Sequence, residues 1–104
     1  MRINLNNPNE LTFAKVQALI RLGNDNVNTQ FCVTKDGYFF LCDDVRNLNR
    51  DELLFRLEMN GAGNDYVGEA AASDELWVNT IFKVVKANWP KPISNYIDDY
   101  SPFL

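Results

Sequence analysis

The sequence predicts an α+β fold: an N-terminal helix, a three-stranded antiparallel β-meander, a long C-terminal helix packed on the sheet, and an irregular aromatic tail. Three observations carry that prediction. Apolar residues recur at helical spacing over residues 8–22, an Asp-Gly pair separates two β-rich runs over 30–42, and a second helical stripe runs from 73 to 88.

The first helix opens at Asn7-Pro8-Asn9-Glu10. Asn7 is placed to cap, Pro8 has a φ already suited to the first turn, and Glu10 can close a capping box. Leu11, Phe13, Val16, Leu19 and Ile20 form its apolar stripe, and Gly23 ends it just after Arg21. The stretch 24–28 reads as a loop.

Gln30–Thr34 and Tyr38–Cys42 flank Lys35-Asp36-Gly37, the pattern of a β-hairpin. Phe39 and Phe40 point to opposite faces, which predicts that their strand is interior to the sheet. After a connection over 43–50, Leu53–Met59 reads as the third strand. Leu53, Phe55, Leu57 and Met59 then share the inner face, with Leu54, Arg56 and Glu58 on the other. A short turn at Glu69–Ala72 leads into the second helix, which Ser73 caps. Trp77, Ile81, Val84 and Val85 are its inner stripe, and Pro90-Lys91-Pro92 ends it. Residues 93–104 lack a regular period. The whole chain, 1–104, is expected to be a single domain, with no repeat or linker.

Composition narrows the function. Fourteen acidic and ten basic residues give a net charge of −4, and a nucleic-acid binder needs a clustered basic face that this chain lacks. Residues 61–104 concentrate the acidity. The first residues lack the apolar stretch of a signal peptide, and no run is long enough to span a membrane, so a cytoplasmic protein is expected.

The absence of histidine removes the commonest general base and metal ligand, and two cysteines cannot build a four-ligand zinc site. Cys32 and Cys42 fall on opposite faces if the hairpin turn has two residues. With three they are a diagonal pair roughly 7–8 Å apart. Neither arrangement suits a disulfide, so both are expected to be free. The adjacent carboxylates Asp43-Asp44, Asp51-Glu52, Asp74-Glu75 and Asp98-Asp99 lack the spacing of a calcium loop and read as solvated faces or helix starts. No catalytic residue, metal or cofactor is expected.

Two segments remain as candidate sites. Gly61, Gly63, Asn64 and Tyr66 lie between strand and helix, where a ligand loop would sit. Their spacing matches no phosphate-binding motif, and a plain connection explains the glycines as well. In the tail, Tyr96, Asp98, Asp99, Tyr100 and Phe103 mix aromatic and acidic groups, a pattern suited to a partner's groove. The plainer account is that the tail wraps its own domain.

These features favour a non-enzymatic protein-interaction module of inhibitor, immunity or accessory type, such as mobile elements carry. Its partner would be another protein or a second copy, since the edges of a small sheet can pair to form a homodimer. The alternative is a small-molecule-binding domain with a pocket between the sheet and the C-terminal helix.

Overall fold

The computed structural model describes residues 1–23, 29–42, 49–57 and 66–90. It is an α+β fold with helices on one face of an antiparallel sheet. The elements in chain order are β1 (Ile3–Asn4), α1 (Phe13–Arg21), β2 (Gln30–Thr34), β3 (Tyr38–Cys42), a 3-10 turn (Arg50–Glu52), β4 (Leu53–Leu57), α2 (Glu69–Ala72) and α3 (Glu75–Asn88).

The sheet is not the expected three-stranded meander. Its order is β1-β3-β2-β4, so β4 pairs with β2 and not with β3. The outer side of β3 is already taken by β1, with Ile3 opposite Phe39 and Asn4 opposite Tyr38. Leu5 donates its amide to the Gly37 carbonyl at 2.7 Å, and Asn6 Nδ2 donates to the Asp36 carbonyl at 2.8 Å, fixing this short strand to the hairpin. The third strand must therefore cross to the free side of β2. As expected, β3 is an interior strand; so is β2.

The hairpin itself forms as its sequence implies. Val33 faces Phe39 and Cys32 faces Phe40, leaving a loop centred on Lys35-Asp36-Gly37. Gly37 adopts φ +94°, its amide donates to the Thr34 carbonyl at 3.0 Å, and the Tyr38 amide donates to Thr34 Oγ1 at 3.1 Å. That is the turn-plus-bulge geometry for which glycine is suited.

Two helix starts move from their expected places. Asn7 does not cap α1: its Oδ1 accepts from the Asn9 amide at 3.1 Å, closing a local turn that precedes the helix. Thr12 is the cap, accepting from the Lys15 amide at 3.2 Å. At α3 the cap is Asp74 and not Ser73, because the Ser73 hydroxyl is turned back to the Glu69 carbonyl at 2.8 Å. The Asp74 side chain accepts from the Trp77 amide at 3.1 Å.

A bulge between Val33 and Thr34 alters the alternation of β4: Phe55 faces Val33, but Leu53 faces Thr34. Leu54 therefore packs against the core, contrary to a strict two-residue period. Glu58 and Met59 lie outside the described residues.

One apolar cluster holds the layers together. Ile3, Phe31, Val33, Phe39, Phe55 and Leu57 supply the inner face of the sheet, and Val16, Leu19 and Ile20 of α1 and Trp77, Ile81 and Val85 of α3 pack against it. Trp77 lies 6.4 Å from the Phe31 ring, so the space between sheet and α3 is filled by aromatic side chains.

Candidate interaction surface

The alternation that sends Phe31, Val33, Phe39, Phe55 and Leu57 into the core sends their neighbours to the opposite face. That second face carries Gln30, Cys32 and Thr34 of β2, Tyr38, Phe40 and Cys42 of β3, and Arg56 of β4. None of these seven belongs to the core cluster. Arg2, one residue before β1, joins them: its guanidinium carbon sits 4.6 Å from the Phe40 ring centroid and 5.9 Å from that of Tyr38. The side of the sheet away from the helices thus gathers Arg2, Tyr38, Phe40 and Arg56, of which Arg2 and Tyr38 are exposed, around the buried Gln30, Cys32 and Thr34.

The chemistry of this surface follows from its neighbours. Arg56 Nη1 donates to Gln30 Oε1 at 3.1 Å, so a charged group bridges β4 to β2. Tyr38 is 36% exposed, whereas Cys32 at the centre is 0% exposed. Burial pushes the Cys32 thiol up to about 12; the nearby Cys42 adds to the shift and Arg56 opposes it. Cys32 is therefore a neutral thiol with no nucleophilic character near neutral pH. Neither cysteine is in a disulfide, and the observed register makes them a diagonal pair on the same face.

Tyr96, Asp98, Asp99, Tyr100 and Phe103 lie outside the described residues, as do Gly61, Gly63 and Asn64. Tyr66 is described, and its hydroxyl donates to Asp74 Oδ2 at 3.2 Å while its ring stands edge-on to Trp77 at 5.1 Å. Its pKa is raised by burial first, then by the Asp74 carboxylate and the hydrogen bond to it. Those contacts give Tyr66 a structural task, tying the segment before α2 to the start of α3.

Among the carboxylate pairs, Asp51-Glu52 forms the exposed 3-10 turn and Asp74-Glu75 opens α3. Among the described residues no group of three or more His, Cys, Asp or Glu is placed to hold a metal. Nor is any described helix long and apolar enough to cross a membrane.

What sequence reading missed was Arg2. The alternation of Ile3 and Leu5 with Arg2 and Asn4 was a signal for a strand, but two residues of pairing are too few to raise it above chance. No protein-family model matches the chain, and neither the curated proteins nor the solved structures contain a match.

Proposed function

We propose that the chain is a non-enzymatic protein-interaction module that engages its partner through the sheet face opposite the helices. The observation that supports this most directly is the stack of Arg2 on Phe40 and Tyr38. Arginine and aromatic side chains are the residue types most enriched among groups that dominate binding energy. They present planar, stiff surface at small entropic cost, and the guanidinium keeps its hydrogen-bonding edge for a partner carboxylate. The preferred partner is therefore an acidic protein segment with apolar or aromatic residues. An inhibitor, immunity or accessory role is the form this activity takes.

The test is affinity capture from host lysate with the wild-type chain and the Arg2→Glu, Phe40→Ala double variant, followed by titration of the purified partner. A protein that binds the wild type and binds the variant at least about tenfold more weakly, a loss of about 1.4 kcal/mol, supports the reading. Equal binding by two folded proteins removes this face from the interaction.

A further inference from the structure

The β2–β3 hairpin brings the two cysteines of the chain together. Its register sets Cys32 opposite Phe40 and Cys42 opposite Gln30, so both thiols project from the same face of neighbouring strands. The Cys32 side chain leans along β2 towards Cys42: its Sγ donates to the Gln30 carbonyl at 3.7 Å, and Gln30 is the residue directly across from Cys42. The two sulfurs also sense one another, since Cys42 adds to the upward shift of the Cys32 pKa as a like charge. Cys32 is buried and Cys42 half-buried, so an ion reaches the pair by way of Cys42.

Spacing selects among the bonds that two thiols can form. Diagonal residues of an antiparallel pair stand roughly 7–8 Å apart at the backbone, with their Cβ atoms somewhat closer. A disulfide joins its sulfurs at about 2.05 Å and holds the Cα atoms within about 6.8 Å. A metal between two thiolates, at about 2.3 Å from each, lets the sulfurs stand about twice as far apart. Side chains that rise side by side from one sheet face therefore suit a bridging ion better than a direct bond. Two sulfur ligands do not complete the tetrahedral shell of zinc, and among the described residues no third His, Cys, Asp or Glu joins them. They do complete the shell of a soft monovalent cation with filled d orbitals, for which linear two-coordination is stable and thiolate is the favoured ligand.

We propose that Cys32 and Cys42 form a two-thiolate site for a soft monovalent cation of the copper(I) class. On binding, each thiol gives its proton to solvent and one metal–sulfur bond forms at each Sγ; nothing is oxidised or reduced. The metal takes the place of the proton that burial otherwise keeps on Cys32, as coordination deprotonates a thiol outright. A cation between the sulfurs also turns their mutual repulsion into attraction. The contact given up, the 3.7 Å thiol hydrogen bond to Gln30, is long and weak. The site needs no partner protein and goes beyond the interaction proposed for the same face.

Anaerobic titration of the reduced full chain with copper(I), in competition with a chromophoric copper(I) chelator, tests the site beside the Cys32→Ser and Cys42→Ser variants. The wild type should withdraw one copper(I) per chain from the chelator, and X-ray absorption at the copper edge should show two sulfur neighbours. Each single variant should bind at least about a hundredfold more weakly, the lower end of the gain from joining two ligands in one molecule. If Cys32→Ser does not fold, Cys42→Ser, at the half-buried position, carries the test alone. Binding by folded Cys42→Ser as strong as that of the wild type overturns the proposal, because one thiol then holds copper adventitiously. Failure of the wild type to compete with the chelator, or a single sulfur neighbour in the spectrum, overturns it as well. One copper per two chains, with a mass that doubles on loading, assigns the metal to thiols of two copies and also overturns it.

Discussion

Gly23 and Val67 meet at a separation that leaves no room for a side chain on residue 23. A Cβ built there would stand 2.5 Å from Val67 Cβ and 2.8 Å from Val67 Cγ2. The two segments are held by a shared acceptor, the Ile20 carbonyl, which receives the Gly23 amide at 3.0 Å and the Gly68 amide at 2.8 Å. The end of α1 is thereby joined to the segment that leads into α2. Gly23 is not in the left-handed conformation expected of a helix-ending glycine; only Gly37 and Gly68 have positive φ among the described glycines. The position requires glycine for space, not for backbone freedom.

Gly23→Ala should therefore destabilise the domain by about 1–3 kcal/mol, the usual range for overpacking a filled site. Val67→Ala in the same chain should not rescue it, because alanine keeps the Cβ that causes the closest contact. Urea melts of the single and double variants measure both effects. A double variant as stable as Val67→Ala alone would contradict the packing account.

Asp74 serves two partners, the Trp77 amide and the Tyr66 hydroxyl. Asp74→Ala should cost about 1–2 kcal/mol for the lost cap. Asp74→Asn should recover most of that loss, since an amide oxygen can accept the same bond. Tyr66→Phe should lower the melting temperature less than Asp74→Ala, because its ring still packs on Trp77. Thermal melts followed by far-UV circular dichroism give the order.

The Cys32 thiol gives stability an alkaline dependence of defined sign. Its pKa rises from an ordinary 9.0 to about 12 on folding. Below pH 9.0 the thiol is neutral in both states and its contribution is complete. As pH rises above that value, the unfolded chain loses a proton that the folded chain keeps, so stability falls until the folded thiol also ionises. The slope for this one group approaches about 1.4 kcal/mol per pH unit. Cys32→Ala should remove it. Denaturant melts of both proteins at intervals across the alkaline range should therefore converge as pH rises; parallel curves would show that the thiol is not shielded.

The Arg21–Glu69 ion pair, at 3.1 Å, joins α1 to α2 in full view of solvent, with side-chain exposures of 45% and 75%. Water and salt screen such pairs, and their usual contribution is about 0–1 kcal/mol. Glu69→Gln should change stability by less than about 0.5 kcal/mol, the range for surface substitutions without a special role. A larger loss in urea melts would mean that this bridge organises the α1–α2 contact in a way its exposure does not imply.

Much of the architecture was legible because it depends on neighbours in the chain. The stripe Trp77, Ile81, Val84 and Val85 marked the buried side of α3, and Asp36-Gly37 marked the hairpin, since period and turn chemistry are local properties. Helix starts were less legible. Asn7, Thr12, Ser73 and Asp74 can all cap, and the choice fell to whichever backbone amide each side chain reached.

The candidate site was less legible still. By itself the sequence determined the α+β class, the helical faces and the hairpin, and with them the two-layer arrangement that buries the apolar stripes. Only the tertiary structure decided which strand neighbours which. Pairing β1 with β3 moved β4 to the far side of β2, and Arg2 came to lie over Phe40, thirty-eight positions along the chain. Strand order is settled by competition for backbone hydrogen bonds between distant segments, and a two-residue strand held by Leu5 and Asn6 leaves almost no periodic trace of the side it will take.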